Sequence, residues 1–254
     1  MANDYLGENK FQSLKFKYEV SGSPKIESIM SYKFKESECD NLWNLPKSPS
    51  RKRLIWAPHW TFEWNISENG IPKKGYSQFM KYYKFFFNLA QNNKSIDLVL
   101  RAHPLTYSEI VRLGLLSANE LERFLNEFNL LPNARVDDAI SNNDSYLDLF
   151  FSSDAMITDG VTFLVEYPCT GKPLLHTIGT ENPPNLNLLG ERISKALYRA
   201  VNEEDIVNFI NIVVFKERDY MKETRMKILE KELFFPSIGV SNFIKEIIFK
   251  ELNI

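Results

Sequence analysis

Only two cysteines occur in the 254 residues, Cys39 and Cys169, far apart and in no Cys-x-x-Cys pair. That excludes a disulfide framework and a zinc-type cluster, and it fits a reducing compartment. An excess of charge of one sign is missing too: 31 Lys+Arg against 33 Asp+Glu leave a formal net charge of −2, which argues against a nucleic-acid-binding protein. The longest uncharged apolar run, Ile206 to Phe215, is well short of the roughly 18 to 20 residues that span a bilayer. The N-terminus, Met1 to Lys17, is polar and charged and has no basic region leading into an apolar stretch, so no secretory signal is expected. Together these absences lead to the expectation of a cytoplasmic protein, at most peripheral at a membrane face. No Gly-x-Gly-x-x-Gly, Walker loop, His-Glu-x-x-His, EF-hand loop or Asp-x-Asp motif is present, so metal-independent chemistry without a bound cofactor is expected.

What is there reads as an ordinary globular chain. At 44% hydrophobic with 10 Gly and 12 Pro, the composition is neither disordered nor collagenous, and the length suits one large domain or two small ones. From Leu54 onward, short apolar runs alternate with amphipathic stretches, the rhythm of βαβ units. Strands are expected at Arg53 to Ala57, Asp97 to Ala102, Ala134 to Val136, Ala155 to Thr158 and Pro173 to Thr177. Helices are expected at Tyr76 to Gln91, Ala118 to Leu130, Tyr146 to Ser152, Val161 to Cys169 and Asn202 to Lys216, then at Arg218 to Lys231 and Ser241 to Leu252. Ser117 and Glu120 have capping-box spacing, and Pro132 follows that helix. The fold class is therefore α/β, a Rossmann-like parallel sheet flanked by helices, with helices alone at the C-terminus. Residues 1–50, broken by Ser and Pro, read as a leader or linker with one strand at Leu14 to Val20; residues 51–254 read as the domain.

In an open parallel sheet, ligands bind beyond the carboxyl ends of the strands. Those positions hold Pro58, His59 and Trp60 after the first strand, and Arg101 to Pro104 after the second. Thr158 to Thr162 follow the fourth, and His176 and Thr177 end the fifth. All three histidines fall at such places. In the Thr158 to Thr162 turn, Gly160 is expected to permit a tight bend. The Thr162 hydroxyl, with amides of a helix beginning near Val161, would then face the crevice as an anion site requires. That Thr162 or Asp159 merely caps its own helix is an equal alternative. Cys169 reads as a small core residue, and His176 as either a site residue or a satisfied structural imidazole. The basic residues of the terminal helices, Lys216 to Lys231, are interleaved with acids, so a solvated face outweighs a lipid-binding one. The aromatic run Tyr82 to Phe87 reads as core packing.

Several of these residues carry a family resemblance. G-S-P-K-I-E at Gly22 to Glu27, W-A-P-H-W at Trp56 to Trp60, R-A-H-P at Arg101 to Pro104 and S-S-D-A-M-I-T-D-G-V-T at Ser152 to Thr162 occur in order. E-Y-P-C-T-G-K-P at Glu166 to Pro173 and F-F-P-S-I-G-V-S-N-F-I at Phe234 to Ile244 continue the series, which resembles the CDP-glycerol glycerophosphotransferase family of teichoic-acid and capsule assembly. The resemblance implies the C-terminal, donor-binding half of a two-Rossmann GT-B architecture. It implies that His103 stabilises charge on the leaving nucleotide as the catalytic group, aided by Arg101. By the same resemblance His59, Thr158, Asp159, Gly160 and Thr162 would hold the diphosphate of the donor, and Glu166 a ribose. This chain departs from the family in having His59, Trp60, Thr61 where Thr then Trp-Arg is usual, and in keeping only Thr162 as a hydroxyl in the second half of the Thr158 to Thr162 turn.

Family members place an acceptor-binding domain, with a histidine as general base, ahead of the segment that resembles Gly22 to Lys25. Only 21 residues precede Gly22 here and none is histidine. The implied partners are a nucleotide-activated donor, a polyol-phosphate or glycan acceptor, and a separate acceptor-binding domain or chain, with no nucleic acid. Two other readings stand beside this one: a UDP- or CDP-sugar glycosyltransferase domain, and a non-catalytic scaffold of an assembly complex.

Overall fold

The computed structural model describes residues 19–35, 40–66, 72–137, 146–179, 186–233 and 235–252. Of the strand expected at Leu14 to Val20, only residues 19 and 20 are among these, and they belong to neither strand nor helix. Cys39 and Phe234 lie outside the described residues.

Among the described residues, six strands form one sheet whose pairs are all parallel: β1 (Lys52–Ala57), β4 (Ile96–Leu100), β5 (Ala134–Val136), β6 (Ala155–Thr158), β7 (Leu174–Thr177) and β8 (Tyr198–Ala200). Their order is β5-β4-β1-β6-β7-β8. The chain builds outward from β1 on one side, then returns to build on the other, so its direction reverses between β1 and β6. A two-stranded antiparallel hairpin, β2 (Glu63–Ile66) and β3 (Pro72–Lys74), is inserted after β1.

Alternation along β1 explains why both faces of the sheet are covered. Leu54 and Trp56 point into one core and Ile55 and Ala57 into the other, as a doubly covered parallel sheet requires. On the first face lies α2 (Phe79–Asn92), whose Phe79, Tyr82, Phe86 and Ala90 recur at helical spacing and are buried. Its Phe79 and Phe86 rings stack on Trp56 with centroids 5.3 and 4.4 Å away. Tyr82 to Phe87 are thus core and its margin. Helix α3 (Thr106–Arg112) follows β4, and α4 (Ala118–Asn129) starts at the expected capping box, in which Ser117 and Glu120 satisfy each other's backbone amides.

The opposite face carries α5 (Tyr146–Ser152) and α6 (Phe163–Glu166), the latter continuing into a 3-10 turn at Tyr167–Thr170. Helices α7 (Leu188–Ser194) and α9 (Lys222–Glu232) complete it. Between β8 and α9, the helix expected over Asn202 to Lys216 starts as α8 (Glu203–Asn208), capped by Asn202, but Phe209–Phe215 is wound as a π-helix. Arg225 of α9 is fully buried, its Nη2 donating to Asp219 and to the Gly171 carbonyl at 2.5 and 3.2 Å.

Helix α1 (Pro24–Met30), within the first fifty residues, was not expected from the sequence. Its start is fixed by Ser23, whose hydroxyl accepts from the Ile26 amide, and by Pro24 in the first turn. Ile26 and Ile29 pack with Leu147. Glu27 accepts a hydrogen bond of 2.8 Å from the amide of Val240, the first residue of α10 (Val240–Leu252). No helix among the described residues is long and apolar enough to cross a membrane.

Candidate functional site

Parallel register brings the carboxyl ends of β4, β1, β6 and β7 to one edge: Trp56 pairs with Leu100, Ala57 with Thr158, and Thr158 with His176. Beyond the last ladder rungs the loops stay joined. Arg101 donates its amide to the Trp56 carbonyl at 2.8 Å, and His103 donates to Pro58 at 3.1 Å. These loops and the turn after β6 enclose a cavity of about 310 Å³, lined by Lys25, Pro58, His59, Arg101, His103, Gly160 and Thr162 among others. It lies where the strand order reverses, the place at which open α/β sheets bind ligands.

Two imidazoles face each other there with centroids 5.6 Å apart. His103 accepts the Leu105 amide on Nδ1 at 3.2 Å, which assigns its proton to the free Nε2. His59 Nδ1 accepts the Thr61 amide and lies 2.8 Å from the Thr61 hydroxyl, leaving its Nε2 as the donor by the same reasoning. Burial, then the neighbouring His103, lowers the His59 pKa to about 4; burial also lowers that of His103. Both rings are therefore neutral N–H donors at pH 7. The Trp60 ring lies 5.8 Å between centroids from each imidazole.

The Thr158 to Thr162 turn divides into support and surface. Thr158 is buried; its hydroxyl donates to the Ala57 carbonyl at 2.6 Å and accepts from the Gly160 amide at 2.9 Å. Asp159 is buried too, and its two oxygens accept the backbone amides of His59 and Gln78, tying the β1 loop and the start of α2 to β6. Neither lines the cavity. Gly160 does, with a φ outside the positive range. A Cβ there would sit 3.1 Å from the Thr158 hydroxyl and 3.8 Å from His59 Cδ2, so the missing side chain is what lets the loops close together. Thr162 is exposed at the rim and its hydroxyl caps no helix amide; α6 begins at Phe163, two residues later than expected.

Glu166 is buried and off the cavity wall, with Oε1 2.7 Å from Lys25 Nζ and Oε2 buried without a partner. Arg101 is held the same way, Nη1 on the buried carboxylate of Asp137. Both cations lie near the Tyr146 ring, Lys25 Nζ at 5.8 Å and Arg101 Cζ at 5.9 Å from its centroid. Lys25, Asp137 and Tyr146 escaped the sequence reading. Only Lys25 had a signal, as part of the Gly22 to Glu27 motif. His176 is buried at the end of β7, away from the cavity, its pKa lowered to about 4 first by burial and then by Arg199. Cys169 is half-buried at the core's margin, where it donates to the Val165 carbonyl, and burial pushes its thiol up to about 12. Among the described residues, no group of three or more His, Cys, Asp or Glu side chains is placed to hold a metal ion.

The architecture defines an α/β Rossmann-like protein with its cavity at the sheet's crossover. No family model and no curated protein matches the sequence. Solved structures match the fold. S. aureus MnaA, in a co-structure with UDP, shares 12% identity at a TM-score of 0.57 over 98% of this chain and 58% of that one. The UDP-GlcNAc 2-epimerase of Neisseria meningitidis bound to UDP-GlcNAc gives 15% and 0.54 over 91% and 55%. A variant of the wall teichoic acid polymerase TagF gives 15% and 0.54 over 93% and 52%. The chain thus spans little more than half the length of these proteins, and at such identities the likeness is one of fold.

Proposed function

We propose that the strand-end cavity holds the diphosphate of a nucleotide-activated donor and that this chain is the donor-binding half of a GT-B transferase. The observation that carries the reading is the convergence of His59, Arg101, His103, Gly160, Thr162 and Lys25 on one opening at the sheet's crossover. Two neutral imidazole N–H groups, a guanidinium, an ammonium and a hydroxyl are the donors that phosphoryl oxygens need. The sequence motifs favour a CDP-alcohol donor, and TagF, a wall teichoic acid polymerase of the same fold, supports it. In that reaction an acceptor hydroxyl oxygen bonds to the distal phosphorus and the bond from that phosphorus to the bridging oxygen breaks. CMP departs with the electron pair, and the hydroxyl proton goes to a base on the acceptor side. His103 and Arg101 would bind the leaving phosphate more strongly as its charge grows, which is what lowers the barrier. Glu166, for which the resemblance implies a ribose contact, is instead buried behind the cavity wall and paired with Lys25.

A second reading, a UDP-sugar donor, has equal support from the neighbours that hold UDP and UDP-GlcNAc. Titration calorimetry with CDP-glycerol, CDP-ribitol, CMP, UDP and UDP-GlcNAc separates the two by which base binds more tightly. Absence of binding by all five at millimolar concentration, with His103→Ala indistinguishable from the parent, sinks both.

A further inference from the structure

Lys25 reaches the cavity from α1, outside the βα loops that supply the rest of its wall. Its side chain is 54% exposed while its partner, Glu166, is 5% exposed. A carboxylate so buried needs a counter-charge, and Lys25 supplies it with one of three N–H donors, leaving the others to face the opening. Arg101 repeats the device on Asp137, with the Tyr146 ring beside both cations. The helix that delivers Lys25 is itself anchored, by the Ser23 cap, by Ile26 and Ile29 in a small core, and by the Glu27 bond to Val240.

We infer that Lys25, carried by α1, contacts phosphate beside the groups of the βα loops and that Glu166 is the positioning residue that holds it there. The inference rests on the reading of the cavity as a diphosphate site and extends that site to an element outside the sheet. It distinguishes two roles for the ion pair: a tether that fixes α1 to α6, which has no bearing on ligand charge, and a ligand-facing cation, which has.

Calorimetry on the whole chain with CDP-glycerol, UDP-GlcNAc, cytidine and uridine reads the difference. Lys25→Ala is expected to weaken the diphosphate ligand that the parent binds about ten-fold, with the matching nucleoside unaffected, and Lys25→Arg to retain most of the affinity. Glu166→Gln is expected to weaken the diphosphate several-fold although Lys25 is intact. Because Lys25→Ala strands a buried carboxylate, the double variant Lys25→Met with Glu166→Gln removes that penalty. Its melting temperature should return towards the parent's while the diphosphate affinity stays low. Equal diphosphate affinity in parent and Lys25→Ala, or equal losses for diphosphate and nucleoside, overturns the inference. Unchanged or tighter binding by Glu166→Gln overturns the positioning role. A parent that binds none of the ligands overturns the cavity reading along with it, an outcome distinct from a parent that binds and a Lys25→Ala that binds equally.

Discussion

His103 and His59 act at the scale of single atoms. Each has Nδ1 engaged by the backbone and Nε2 free, so His103→Ala removes one N–H donor and should weaken diphosphate binding about ten-fold without changing the melting temperature. Burial holds the free His59 pKa at about 4, and a bound diphosphate must raise it. Between the two values the complex takes up a proton, so affinity for CDP-glycerol, whose diphosphate is esterified at both ends, should climb as pH falls from 7 towards 5. Calorimetry in buffers of different ionisation heat should register that uptake. Asp159 behaves oppositely. Burial pushes its pKa up to about 7 against the three backbone amides, of Gln78, His59 and Asp159 itself, that hold it down, so the folded state binds a proton that the unfolded chain, near 3.8, has released. The stability this confers is complete below 3.8 and lost as pH rises through 7. Asp159→Asn, which keeps one acceptor of two, should cost about 1–3 kcal/mol at pH 5, and thermal melts should show the gap from the parent narrowing towards pH 8.

Among the elements, those with a strong internal pattern were legible. The buried strands read as apolar runs, and β5, β6 and α5 have the bounds expected of them. Helix α4 began where Ser117 and Glu120 said it would, and Ser117→Ala should cost about 1 kcal/mol in chemical denaturation. The elements missed were short or polar: α1, α3 and α7 are two turns each, β8 is a three-residue edge strand, and β2–β3 carries lysines and a proline. The three helices are held by buried contacts that periodicity does not record, through Ile26 and Ile29, Ile110 and Ile193. The site was legible in part for a similar reason. Strand-end position marked His59, Arg101 and His103, but it could not say that Thr158 and Asp159 turn inward to brace the loops. Gly160→Ala tests that bracing. Its new methyl presses on the Thr158 hydroxyl, so ligand affinity should fall together with about 1–3 kcal/mol of stability, the usual cost of overpacking.

At the scale of the whole molecule, the two ends of the described chain meet: Glu27 of α1 binds the start of α10, 213 residues later. Glu27→Ala should speed amide hydrogen exchange in α1 and α10 together while the sheet keeps its protection, because the sheet's ladders do not depend on that bond. The arrangement also carries the effect to the cavity, since α1 brings Lys25 there. Lys25 is balanced by Glu166 and Arg101 by Asp137, the imidazoles are neutral, and the chain as a whole is close to electroneutral. Approaching anions therefore feel little pull from afar, and stopped-flow encounter rates should vary only weakly with ionic strength. Discrimination among anions would be exercised after arrival, through how long each one stays.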